Sequence, residues 1–121
     1  MNPASNTKPS VHIHEANANP AYLTEICAGL EEEGIPFAIF KADGDAKFLA
    51  HAAANHSRLR VGIGITANSA MMQIRNCPTD IPTNDTTGPI LHVNLNTPTA
   101  KSQCRALGTN AARAVKGGMF I

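Results

Sequence analysis

The chain has 121 residues, enough to close one hydrophobic core and too few for two ordinary domains. Its 43% hydrophobic and 16% charged residues suit a folded globular protein and argue against disorder. A net charge of +1, with 4% aromatic residues and no Trp, disfavours nucleic-acid binding, which needs a basic surface and stacking platforms.

Residues 1–9 are polar, contain Pro3 and Pro9, and read as a flexible tail ahead of a single domain over 10–121. Met1 to Asn6 form no apolar signal core, and no apolar run approaches the roughly 20 residues of a membrane span, so a cytoplasmic protein is expected. Val11, His12 and Ile13 make a short strand. Asn19-Pro20 is a helix start, with Asn as cap and Pro in the first helical position. Leu23, Ile26, Cys27 and Leu30 then fall on one helical stripe, which Gly34 and Pro36 end.

Pro36 to Phe40 is apolar and predicts a buried strand. Asp43-Gly44-Asp45 caps a second helix running to about Asn55, with Phe48, Leu49 and Ala52 facing inward. Leu59 to Ile65 alternates strictly and is the clearest strand of the chain. A turn at Ala67-Asn68-Ser69 leads into Met71 to Arg75, predicting an antiparallel hairpin. Residues 76–89 carry Pro78, Pro82, Gly88 and Pro89 and read as loop, followed by a last strand over Ile90 to Leu95. Thr97-Pro98 opens a final helix whose apolar side holds Cys104, Leu107, Ala111, Ala114 and Val115 and which Gly117-Gly118 closes. The order β-α-β-α-β-β-β-α predicts an α/β fold, a three-layer α/β/α sandwich around a mixed sheet of five strands.

Cys27, Cys77 and Cys104 are odd in number, widely spaced and free of any C-x-x-C pair, so reduced, packed thiols in a reducing compartment fit better than a disulfide or zinc site. The Asn55-His56-Ser57 and Asn84-Asp85-Thr86 sequons then carry no glycan. Gly62-Ile63-Gly64 lies inside a strand instead of in the turn that opens a helix, which argues against dinucleotide binding. Two glycines on one strand face instead leave a flat strip for a helix or for another chain, and the sequence leaves both open. No G-x-x-x-x-G-K loop exists, so ATP chemistry, if any, belongs to a partner. His12 and His14 share a strand side without a third ligand at recognisable spacing, and His51 and His56 miss helical i, i+4 stacking, so surface or capping roles are expected of the histidines.

Glu31-Glu32-Glu33 places three carboxylates in the last turn of the first helix, where the macrodipole disfavours each by about 0.3–1 kcal/mol. The run is either a solvated helix end or a carboxylate set to ligate a hard cation or meet a basic partner. Gly108, Ala111 and Ala112 let the last helix approach a neighbour closely, with its arginines solvated.

Three ordered stretches, Gly29 to Phe37 (GLEEEGIPF), Ser57 to Gly64 (SRLRVGIG) and Leu107 to Gly117 (LGTNAARAVKG), resemble the small subunit of the reactivating factors of adenosylcobalamin-dependent diol and glycerol dehydratases. That subunit is similar in fold to the dehydratase's medium subunit. The resemblance implies a fold like the anticodon-binding domain. It also implies a non-catalytic chain in an α2β2 heterotetramer with a large, Hsp70-like ATPase subunit that carries ATP or ADP. In this family the complex releases damaged cobalamin from inactivated dehydratase by subunit exchange. A Glu of the G-[LI]-E-E motif there helps ligate a divalent cation such as Mg2+ at the large-subunit contact, which the motif carries to Glu32, with Glu31 one register step away. No cofactor is expected on this chain alone, and association with a bacterial microcompartment is left open. The dehydratase's own medium subunit is the alternative; it is usually much longer and has an N-terminal extension, whereas the first strand here begins by about residue 11.

Overall fold

The computed structural model describes residues 9–75 and 91–117. They form β1 (Val11–Ala16), α1 (Pro20–Glu32), β2 (Phe37–Lys41), α2 (Ala46–His56), β3 (Val61–Thr66), β4 (Ser69–Ile74), β5 (Leu91–Asn94) and α3 (Ala100–Gly117), the expected order. The tail over 1–8, Cys77, the loop over 76–89, Ile90 and Gly118 lie outside the described residues.

Capping chemistry sets the helix starts. The Asn19 side chain accepts from the Ala21 N–H at 2.9 Å, with Pro20 in the first position. Asp45 does the same for α2, accepting from the Phe48 N–H at 2.8 Å. α3 begins later than Thr97-Pro98 suggests. The Thr97 carbonyl accepts from Ala100 in a turn, and Thr99 is the cap, its carbonyl taking the Gln103 N–H at 3.0 Å and its hydroxyl oxygen the Gln103 amide at 2.7 Å.

The five strands form one mixed sheet in the order β2-β1-β3-β4-β5, with β1 parallel to β2 and β3, and β4 antiparallel to β3 and β5. Register aligns Ile39, Ile13, Ile63 and Met72 in one row. Val11, Ile13, Val61, Ile63, Ile65, Ala70, Met72 and Val93 therefore share a face, buried against Ile26 and Leu30 of α1 and Cys104, Leu107 and Ala111 of α3. Burying an Ile or Leu of this core contributes about 1.5–3 kcal/mol each. α2 packs on the opposite face, over β3, β1 and β4, which completes the three layers.

The glycine strip of β3 is used internally. A Cβ on Gly62 would stand 2.1 Å from the Ala54 nitrogen, and one on Gly64 2.4 Å from the Ala46 carbonyl oxygen. α2 thus lies directly on β3, through the small residues Ala46, Ala50, Ala53 and Ala54. α1 and α3 cross as closely, since a Cβ on Gly108 would meet the Ile26 carbonyl oxygen at 2.1 Å.

Three more expectations change. β2 is an outer strand with Ile39 43% and Phe40 44% exposed, because β1 and β3 take the centre of the sheet. Phe48 is 59% exposed; the buried stripe of α2 is Ala46, Leu49, Ala50, Ala53 and Ala54. β3 starts at Val61 and excludes Leu59, because Arg60 turns the chain with φ 67°. No helix among the described residues is long and apolar enough to cross a membrane.

Candidate functional site: the acidic end of the first helix

α1 stops at Glu32 through a complete backbone cap. Gly34, with φ 75°, donates its N–H to the Glu31 carbonyl at 3.0 Å, and Ile35 donates to the Leu30 carbonyl at 3.1 Å. Ile35 packs against the core beside the buried Leu30. The last turn is thereby fixed, and its three carboxylates project from a rigid mount.

Two of the three are occupied by α3. Arg105 donates from Nη2 to Glu32 and from Nη1 to Glu25 at 3.0 Å, and Lys116 Nζ lies 2.8 Å from Glu33 Oε1. The Lys116 hydrogen bond holds the Glu33 carboxyl below its ordinary value, and the bonds to Glu32 and then Glu25 hold the Arg105 guanidinium above its own. Glu31 is exposed and has no ion pair among the described residues. α3 therefore supplies cations that offset the unfavourable macrodipole at Glu32 and Glu33, and among the described residues it leaves Glu31 without an ion pair.

Sequence reading found the acidic cluster and missed its partners, having left the α3 arginines solvated. Glu25 and Glu32 are seven residues apart and share one face of α1, a spacing that marks a double acceptor for one guanidinium.

A hard cation suits carboxylate oxygen. Among the described residues no group of three or more His, Cys, Asp or Glu side chains could hold a metal ion. The residues present fit a cation held jointly: one carboxylate from this chain, with the remaining ligands from a partner or water. Glu31 could donate as it stands, whereas Glu32 would first have to release Arg105.

The histidines converge more than their spacing suggests. His14 lies 6.0 Å from His56 and 6.1 Å from His12, ring centre to ring centre, and Phe40 lies tilted at 4.9 Å from His12 and edge-on at 5.6 Å from His14. Desolvation first, then the neighbouring imidazoles, pushes His12 and His14 below their ordinary value. Cys27 and Cys104 are unpaired thiols, each pushed up to about 11 by burial and then by Glu31 and Glu25 respectively. Both stay protonated at neutral pH and make poor nucleophiles or ligands.

Comparison with known proteins places the whole domain. The dehydratase medium subunit family model matches residues 8–120. The propanediol dehydratase-reactivating factor small subunit of Salmonella typhimurium is 32% identical over 118 residues, covering 97% of this chain and 94% of that protein. A structure of diol dehydratase-reactivating factor complexed with ADP and Mg2+ superposes with a TM-score of 0.75 at 28% identity, over 92% of this chain and 95% of that one. A glycerol dehydratase reactivase structure gives 0.72 at 32% identity, over 90% and 93%.

Proposed function

The chain belongs to the dehydratase medium subunit family, and we propose that it is the small subunit of a reactivating factor that, with a large ATPase subunit, frees damaged cobalamin from inactivated adenosylcobalamin-dependent diol or glycerol dehydratase. The observation that carries this reading is the near full-length similarity to reactivating-factor small subunits in sequence and in structure.

The chemistry asked of this chain is docking. In the proposed mechanism the small subunit leaves the large one, which then engages the dehydratase in its place, and steric conflict opens the client so that cobalamin departs. Such exchange needs affinities that nucleotide can tip, and about 1.4 kcal/mol changes partner occupancy tenfold. A rigid α/β body with a charged, fixed helix end suits it.

We assign the cation-ligating role to the Glu31-Glu32 pair at the large-subunit contact, with Mg2+ shared and ATP or ADP on the partner. Availability favours Glu31, since Arg105 holds Glu32. The test is co-expression with the large subunit, followed by reactivation of inactivated dehydratase. The reading expects co-purification and ATP- and Mg2+-dependent recovery of activity; a chain that never associates with the large subunit rules it out.

The family description also covers the dehydratase's own medium subunit. Mixing the chain with the dehydratase large and small subunits separates the two, since only a true medium subunit restores diol dehydration.

A further inference from the structure

The stretch Ser57 to Gly64 carries two exposed arginine side chains, Arg58 and Arg60. α2 ends where Ser57 donates its N–H to Ala53 at 3.0 Å. The Ser57 hydroxyl donates to the Ser10 carbonyl at 2.7 Å and accepts from the Leu59 N–H at 3.1 Å, which ties the turn to the start of β1. Arg60 then donates its N–H to Ser57 at 3.0 Å, and its carbonyl accepts from Arg75 at 2.8 Å. These bonds hold Arg60 at φ 67°, a conformation that Gly or Asn adopts far more readily, and leave its side chain exposed.

The charges of this corner are segregated. Arg75 is engaged, donating from Nε to the Ala54 carbonyl at 3.3 Å near the end of α2. Arg58 and Arg60 are exposed and form no ion pair among the described residues. The described carboxylates lie elsewhere: Glu15 sits in the last half of β1, Asp43 and Asp45 follow the far end of β2, and the remaining four stand on or just after α1.

The basic corner and the acidic end of α1 nevertheless flank the same end of the sheet. The Val11 N–H donates to Pro36, just after the α1 cap, and the Ser10 carbonyl accepts from Ser57. A body covering that end meets both. A nucleic acid does not fit, because Glu31 would repel its phosphates; a protein surface that presents a shared cation toward Glu31 and carboxylates toward the arginines does.

We propose that Arg58 and Arg60 dock a carboxylate-bearing surface of the large partner subunit, an inference that rests on the small-subunit reading. Arginine suits this role, since its planar fork pairs with carboxylate through two parallel hydrogen bonds.

The test is the affinity of this chain for the purified large subunit, measured at about 50 and 300 mM salt. Three chains are compared: wild type, the Arg58→Glu/Arg60→Glu double variant, and Arg60→Asn, which tolerates the backbone conformation and keeps the fold. The wild type should weaken as salt rises. The double variant should bind about tenfold or more weakly at low salt and lose most of the salt dependence, and Arg60→Asn should fall between them. Wild-type binding with both variants within about twofold of it, and equal salt dependence, overturns the corner alone. No binding by the wild type overturns the small-subunit reading and the corner with it.

Discussion

Arg105 joins residues that the chain keeps 73 and 80 positions apart, and its removal tests how the end of α1 is held. Its ion pairs are partly exposed, so Arg105→Ala should lower the urea midpoint only slightly. Glu31→Gln and Glu32→Gln should separate in function. If Glu31 is the cation ligand, its replacement removes the Mg2+ dependence of large-subunit binding, measured by titration, and Glu32→Gln leaves most of it. An Mg2+ dependence untouched by either change would exclude the bridging cation.

The histidine cluster gives the fold a direction with pH. His12 and His14 titrate below 6.5 when folded and near it when unfolded, so the unfolded chain takes up protons first on acidification. Stability should be full above about pH 6.5 and fall as pH drops through the folded values. His14→Asn should flatten that decline in urea midpoints between about pH 7 and 5; a slope identical to wild type would show that the cluster does not couple to folding. None of this was legible from the spacing of His12, His14 and His56. β1 and α2 meet only in the folded sheet.

At the level of elements, the α2–β3 contact, like the α1–α3 crossing, constrains substitution tightly. Gly62→Ala or Gly64→Ala would set a methyl against α2 backbone that cannot yield without moving the helix, so a loss of about 3 kcal/mol or more is expected in urea unfolding. Phe48→Ser, on the exposed side of the same helix, should cost under about 1 kcal/mol.

That contrast marks how far the elements could be read in advance. Asn19-Pro20, Asp45 and Gly34 act through bonds spanning a few residues, so their helix ends were visible locally. The similar Thr97-Pro98 misled because the Thr97 carbonyl closes a turn on Ala100, where α3 begins, and the first helical bond runs from Gln103 to Thr99. Whether Gly62 and Gly64 faced a helix or another chain, and whether Phe40 was buried, depended on which strands became central, a tertiary choice. The same holds for Glu32, whose place in an acidic cluster was plain and whose attachment to Arg105 was not.

For the whole molecule, the layered fold and the family follow from the ordered segments, and in the proposed reading the end of the sheet that carries Arg58, Arg60 and Glu31 is the docking surface. As proposed, this chain works as the small subunit of a dehydratase-reactivating factor. The most direct measurement is recovery of activity by inactivated diol or glycerol dehydratase on addition of this chain with the large subunit, adenosylcobalamin, ATP and Mg2+. Recovery should disappear when this chain is omitted. Equal recovery with and without it, or no recovery from an assembled complex, would show that the chain is not such a subunit.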